Sequence, residues 1–229
     1  MMLPEAIVEH LRLATIPPPL DEWGLQCPSL TLERIGNKES LYQQGELCNQ
    51  IFYISKGHVK LARGNRNGDQ FITAILQAGE IFGPPLADQR GLAQETAIAK
   101  GALQVYRVAG QDFHSCLQNN PTLAAKTIQM LALRQRFLER RLECLLYQDV
   151  RARIAAMLCE MAGHYGEKCT HGMELDVHFT HQELAELVGA GRPTVSTILN
   201  ELREQGMVAY GRDYICINQI ERLRSLSVL

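Results

Sequence analysis

Thr180-His-Gln-Glu183 sets a hydroxyl and a carboxylate three residues apart. That is the arrangement of a capping box, in which Thr180 accepts from the Glu183 backbone N–H and Glu183 reaches back to the Thr180 N–H. It predicts a short helix over 182–188. Gly189-Ala-Gly191 breaks that helix, and a second one is predicted from Arg192 to about Gln205, stopped by Gly206. Counting His181 as position one, Ala185 is fifth, Gly189 ninth, Val195 fifteenth and Ile198 eighteenth. A small residue lets two helices cross closely, a glycine permits a left-handed turn, and branched residues fill the space between. The second helix then exposes Arg192, Thr194, Ser196, Thr197 and Asn200. Short polar side chains allow a backbone to lie deep in a DNA major groove, where Arg192 can bridge O6 and N7 of a guanine. The stretches 207–210 and 214–217, with Gly211-Arg-Asp213 between them, read as a hairpin beside that helix. Two helices of a generic bundle could share this spacing, but the cap and the hairpin weigh against that.

Several elements must hold such a site in place. Residues 1–29 read as irregular, with Pro17-Pro18-Pro19 and Pro28 blocking regular structure. From Leu30 to Val108 the chain is rich in short β-like runs: 30–35, 51–54, 58–61, 70–76, 96–99 and 103–108. Gly64-Asn-Arg-Asn-Gly68 makes a turn among them, and the pattern suggests an all-β sandwich or roll. Helix takes over at Pro121, with neither Pro nor Gly until Gly163. Within it Ala124, Ile128, Leu131, Gln135, Leu138, Leu142 and Leu145 are spaced alternately four and three apart. That is a heptad seam along which two copies of the helix can pair, with Gln135 as its polar position. The alternative is an amphipathic helix lying on its own domain. Pairing is favoured because Arg134, Arg136, Glu139, Arg140 and Arg141 lie on other faces. A further domain begins near Asp149, so the expected division is 1–120, 121–148 and 149–229.

Charge and cysteine content narrow the functional classes. The net charge is −2, and residues 149–229 carry 8 Lys and Arg against 11 Asp and Glu. Phosphate affinity is chiefly electrostatic, so this segment should bind DNA non-specifically only weakly and depend on dimerisation. The 7 cysteines are Cys27, Cys48, Cys116, Cys144, Cys159, Cys169 and Cys216, scattered and without a C-x-x-C. They read mainly as small buried hydrophobes, with a two-cysteine redox switch as the alternative. No metal site is expected, and His171, His178 and His181 read as surface or DNA-facing. Residues 1–13 do not read as a signal peptide, and no stretch is long enough to span a bilayer. A cytoplasmic protein with no membrane partner is therefore expected. No Ser/His/Asp, paired-carboxylate or phosphate-loop pattern supports an enzyme.

The block from Phe179 to Ser196 resembles the DNA-reading motif of the Crp/Fnr family of bacterial transcription regulators. Tyr147–Ile154 resembles that family's hinge, and Gly45-Glu46, Gly57 and Gly79–Gly83 fall where its β-roll turns. The resemblance spans nearly the whole chain. It implies an α+β fold: an antiparallel, cyclic-nucleotide-binding-type β-roll (a double-stranded β-helix), a long dimerisation helix and a C-terminal winged helix-turn-helix. It also implies a homodimer on a two-fold-symmetric duplex, with Arg192 reading guanine and Thr180 and Gln182 at phosphates. The match departs at Pro193, where many members carry a base-reading Glu, and at Thr197, often an Arg, so a different half-site preference is expected.

Members of that family that bind cyclic AMP grip its phosphate with an Arg-Ser pair after the Gly-Glu turn. Here Gly79-Glu80 is present, but the matching place reads Gln94-Glu95. Glutamine supplies no cation, and glutamate beside a phosphate is repulsive. The usual cyclic-nucleotide binding is thus not expected, and the effector is unidentified or absent. Turn and surface polarity is the plainer reading of Glu80 and Gln94. Cys27 and Cys48 stand too far apart for an iron–sulfur cluster, and Gly83-Pro84-Pro85 offers no haem ligand, so no cofactor is expected. The loop 165–172 lies where some family activators touch RNA polymerase. The alternative to a DNA-binding regulator is a small-molecule or protein-interaction module that does not use its helix-turn-helix on DNA.

Overall fold

The computed structural model describes residues 28–84, 91–211 and 214–227. The expectations for residues 1–27, Pro85, Arg212 and Asp213 lie outside them. The chain divides after Leu133 into two compact units. The class is α+β: an antiparallel β-roll, long helices and a C-terminal winged helix-turn-helix.

The first unit contains β1 (Thr31–Ile35), β2 (Ser40–Tyr42), β3 (Gln50–Gly64), β4 (Gln70–Leu76), β5 (Ile81–Phe82) and β6 (Thr96–Ala109). They pair antiparallel in the order β1-β6-β3-β4, with β2 also on β6 and β5 on β3. The central register runs from Gln50↔Ala109 to Ala62↔Thr96. Successive side chains of a strand point to opposite faces. Phe52 and Ile54 therefore enter one core with Tyr42, Val59, Phe82 and Val105, and Ile51 and Tyr53 enter a second with Ile81 and Val108. Phe52 and Phe82 stack with ring centroids 5.1 Å apart.

The pairs of short runs expected at 51–54 and 58–61, and at 96–99 and 103–108, are each one continuous strand. Glycines let these strands kink instead of ending. Gly57 has φ +89, and a Cβ there would lie 2.4 Å from the Ala102 carbonyl oxygen. The ladder shifts register beside it, between Lys56 and His58.

Helix begins earlier than the sequence suggests. Helix α1 (Gly110–Asn119) precedes α2 (Pro121–Tyr147). Phe113 and Cys116 of α1 join Ile51, Val108, Leu123 and Met130 in the second core. Its start carries no side-chain cap, so no local signal marks it. Asn120 ends α1 and accepts from the Leu123 backbone N–H at 3.0 Å, which caps α2 just before Pro121.

Helix α2 carries two apolar stripes. Leu123, Met130, Leu133 and Cys144 are buried within the chain. Ile128, Leu131, Leu138, Leu142 and Leu145, the seam residues, are 49% to 68% exposed. Gln135, also exposed, donates to Glu139 Oε1 at 2.8 Å.

The second unit continues with α3 (Val150–Tyr165), β7 (Gly166–Cys169), β8 (Gly172–Leu175), α4 (His181–Val188), α5 (Arg192–Glu204), β9 (Val208–Tyr210), β10 (Ile215–Ile217) and α6 (Ile220–Leu226). Its sheet has the order β7-β8-β10-β9. The segment expected to be a loop at 165–172 is instead most of a hairpin, in which Gly166 pairs with Leu175 and Lys168 with Met173. Gly-Glu-Lys-Cys has no alternating pattern, so only its backbone pairing makes it a strand. Asp149 caps α3 by accepting from the Ala152 N–H at 2.8 Å, which accounts for the break expected there. Among the described residues no helix is long and apolar enough to cross a membrane.

Candidate nucleic-acid interface

The capping box forms as its spacing dictates. Thr180 Oγ1 accepts from the Glu183 N–H at 3.1 Å, and Glu183 Oε2 accepts from the Thr180 N–H at 3.1 Å. A cap of this kind is worth about 1 kcal/mol. Gly189 takes φ +64 at the end of α4, the left-handed turn that a Cβ would disfavour. Ala185 and Val195 are buried where the two helices meet. Ile198 is only half-buried, and the deeper contacts of α5 come from Leu199 and Leu202.

Two arginines tie the turn to the helices behind it. Arg153 of α3 donates to the carbonyls of Val188 at 3.0 Å and Gly189 at 3.3 Å, and also to that of Gln148 at 3.1 Å. Arg141 of α2 donates to the Leu187 carbonyl at 2.8 Å. The last carbonyls of α4 have no partner within their own helix, and the helix dipole makes that end negative, so cations suit it. Arg141 therefore does not lie on a solvated face as its position in the heptads suggests. Leu145 also reaches this turn: a Cβ on Gly189 would lie 3.2 Å from Leu145 Cδ2. From the other side, Arg151 of α3 pairs with Glu201 and donates to Gln205 Oε1 at 2.9 Å, holding the inner edge of α5.

The outer face of α5 consists of Arg192, Pro193, Thr194, Thr197 and Asn200, all exposed, with Ser196 half-buried. Arg192 makes no hydrogen bond or ion pair with any described residue, so its guanidinium is free to engage a ligand. Proline in the first turn has no intrahelical N–H bond to lose. Three of the polar groups are already engaged. Ser196 Oγ lies 2.9 Å from His181 Nδ1, Asn200 Oδ1 accepts from the Tyr210 hydroxyl at 2.7 Å, and Thr197 Oγ1 donates to the Pro193 carbonyl at 3.1 Å. Gln182 is exposed and donates to Glu186 Oε1 at 3.0 Å.

His181 is half-buried and positions Ser196, so it is not simply a surface histidine. Its ring meets Tyr210 edge-on at 5.3 Å, and Arg203 stacks over the same tyrosine at 5.0 Å. His181, Arg203 and Tyr210 thus brace the face, and the sequence does not single out Arg203 or Tyr210 for that role. Their one local signal is Tyr210 at the edge of the expected hairpin.

Several of the acidic groups of this unit are engaged within it. Glu201 is paired with Arg151, Glu221 with Arg224, and Glu183 lies in the cap. Burial pushes the Glu160 carboxyl up to about 7, against the pull of Arg141 and Arg140. Burial holds His164, packed 4.6 Å from the Phe137 ring, down to about 4. The two effects oppose each other between pH 4.5 and 6.5. Glu160 binds its proton more readily when folded, so its contribution is present in acid and is lost as pH rises toward 7. His164 resists protonation when folded, so its contribution is present above pH 6.5 and is lost as pH falls toward 4. Glu160→Gln should therefore lose stability on acidification from pH 7 to 5 more steeply than the parent. Thermal midpoints at the two values measure this, and parallel curves for variant and parent would contradict it.

In the β-roll, the four residues expected at an effector pocket make structural bonds. Gly79 has φ +91, and its N–H donates to the Ile54 carbonyl at 2.9 Å. Glu80 Oε2 accepts from the Gln77 N–H at 2.9 Å, closing that turn. Glu95 accepts from Thr73 Oγ1 at 2.9 Å and faces Arg63 at 4.0 Å. Gln94 is exposed, its amide directed to the Leu92 carbonyl at 3.4 Å. No group of three or more His, Cys, Asp or Glu able to hold a metal occurs among the described residues.

Comparison with known proteins agrees with this architecture. The cyclic nucleotide-binding domain family matches residues 32–120, and the Crp-like helix-turn-helix domain family matches residues 152–226. The global nitrogen regulator of Synechococcus elongatus is 27% identical over 190 residues, covering 82% of this chain and 86% of that protein. The cAMP-activated global transcriptional regulator CRP of Pasteurella multocida is 28% identical over 199 residues, covering 86% and 94%. Among solved structures, FixK2 from Bradyrhizobium japonicum matches with TM-score 0.76 at 20% identity, over 87% of this chain and 98% of its own. At that identity the match speaks to the fold alone. Both domain families stand in the order that the β-roll and winged helix require. The chain therefore belongs to the Crp/Fnr family, as a Crp-like transcription regulator with a helix-turn-helix DNA-binding domain and not an enzyme.

Proposed function

We propose that the protein acts as a homodimer on an inverted-repeat operator, with α5 of each copy in the major groove of one half-site. The observation that carries this reading is the free Arg192 guanidinium at the exposed start of α5. Arginine presents two parallel donors to guanine O6 and N7, the commonest specific base contact. Thr194, Ser196, Thr197 and Asn200 line the same helix, while Pro193 contributes shape without a donor. Thr180 and Gln182, at the start of α4, are assigned to phosphates. Dimerisation is assigned to the exposed stripe of Ile128, Leu131, Gln135, Leu138, Leu142 and Leu145. A sensor unit over 1–120, the dimer helix over 121–148 and a DNA-binding unit over 149–229 complete the division of labour. The β7–β8 hairpin is the candidate surface for RNA polymerase, and the cytoplasm, where bacterial DNA lies, is the expected compartment.

Operator binding is assigned no requirement for cyclic AMP, because Gln94 and Glu95 bring no cation to the place where such a phosphate would sit. Selection from a random duplex pool with reduced, purified protein tests both parts of the reading. Enrichment of an inverted repeat with a guanine in each half-site is expected, at the same strength with and without added cyclic AMP. A pool that stays random in both conditions would overturn the DNA reading. Enrichment only with the nucleotide would overturn the assignment of the sensor unit.

A further inference from the structure

Two cysteines 47 residues apart in sequence meet in the second unit. Cys169 Sγ and Cys216 Sγ lie 3.3 Å apart, and both are free thiols. The sheet register explains the meeting. Cys169 lies opposite Gly172, and Cys216 lies opposite Glu174, two residues along the same strand. Opposite residues share a face, as do residues two apart, so both thiols project from one side of β8. Gly172 has φ +153, and a Cβ there would lie 2.1 Å from the Ile217 carbonyl oxygen. Only a glycine lets the end of the hairpin approach β10 this closely, beside Cys216. Cys169 is partly exposed and Cys216 is buried, so a small reagent reaches Cys169 first.

We infer that Cys169 and Cys216 form a peroxide-reactive dithiol, with Cys169 as the attacking sulfur and Cys216 as the resolving one. The oxidant is a hydroperoxide. The Cys169 thiolate attacks the outer peroxide oxygen and the O–O bond breaks. The remaining oxygen leaves with a proton, as water or an alcohol, and Cys169 becomes a sulfenic acid. The Cys216 sulfur then attacks Cys169 Sγ, the S–O bond breaks, and the oxygen departs as water carrying the Cys216 proton. Each cysteine gives up one electron to the new S–S bond, and the peroxide takes two. The sulfurs need to close by only about 1.2 Å to reach disulfide length. The bond ties the β7–β8 hairpin to the strand β10 of the wing.

The local chemistry agrees with these roles. Cys169 is held below the ordinary thiol range, first by the His171 backbone N–H, then by the Cys216 thiol and the Gly172 N–H. Cys216 is pushed up to about 12, first by burial and then by sharing its hydrogen with Cys169. Burial raises Cys48, Cys144 and Cys159 as well, so none of these competes as a thiolate. Cys116 is disulfide-bonded.

The full-length protein is treated with equimolar hydrogen peroxide, alkylated under denaturing conditions and mapped by mass spectrometry, without DNA. The expected product links Cys169 to Cys216 and returns to two thiols with reductant. Cys169 should be consumed about tenfold faster than Cys48, Cys144 or Cys159. Cys216→Ala should stop at a Cys169 sulfenic acid that dimedone captures, and Cys169→Ser should leave Cys216 reduced. Should the Cys216 variant fold poorly, the linkage and rates in the parent protein decide alone. Uniform oxidation of the free cysteines, or no Cys169–Cys216 linkage, would overturn the inference. Neither result bears on whether the protein reads DNA.

Discussion

On the proposed dimer, Leu138→Asp is expected to convert the protein to a monomer and to lower affinity for an inverted-repeat duplex by about a hundredfold or more. Leu138 sits in the middle of the proposed seam and is 53% exposed within its own chain, so it is outside the protomer's buried core. In a symmetric pair it meets its own copy or a near neighbour, and the substitution acts on both helices at once. Burying a leucine contributes about 1.5–3 kcal/mol. Replacing it with a charge removes that contribution twice and sets two carboxylates close together in a desolvated seam. The loss on DNA follows from linkage: a dimer places its second recognition helix at high effective concentration near the second half-site, and a monomer does not. Sedimentation and operator titration measure the two effects, while circular dichroism should show an unchanged helix content. A Leu138→Asp protein that sediments as a dimer would remove the seam from the interface and favour a helix that serves only its own domain.

Arg192→Ala is expected to cost about 1–3 kcal/mol of operator affinity and to relax the preference at one base pair in each half-site. Its thermal midpoint should not move, because Arg192 bonds to no described residue and truncation leaves no buried partner unsatisfied. Arg192→Lys should restore little, since an ammonium cannot present two parallel donors to O6 and N7. Gln182→Ala should behave differently, weakening all duplexes about equally as loss of a phosphate contact does. Competition binding against duplexes substituted at the selected guanine separates the two patterns. Unchanged discrimination in Arg192→Ala would move base reading to another residue of α5.

The features legible in the sequence are those whose cause is local. The Thr180–Glu183 cap, the Gly189 turn and the α4–α5 spacing depend on residues within a turn or two of one another, and each forms where its spacing places it. The exposed apolar stripe of α2 was legible because a helix repeats its face every three to four residues, whatever its surroundings. The break at Asp149 follows from a capping side chain acting three residues along the chain. Most of the residues proposed to face DNA were legible for the same reason: they share one exposed face of one helix.

Tertiary structure decided which groups those residues meet. Ser196 reads as a free hydroxyl until His181, 15 residues earlier, is seen to hold it. Arg141 reads as a solvated charge until the carbonyl end of α4 comes within its reach. The strand fragments on either side of Gly57, and those at 96–99 and 103–108, become two long strands only when the partner strand is there to carry the ladder through a bulge. Hairpin β7–β8 has almost no side-chain pattern of its own, and its existence rests on backbone pairing across the sheet. Cys169 and Cys216 show no spacing motif, and their contact arises only where a glycine lets β10 approach. Capping and periodicity are written in adjacent residues, whereas each of these contacts required the chain to close on itself before either partner had an environment.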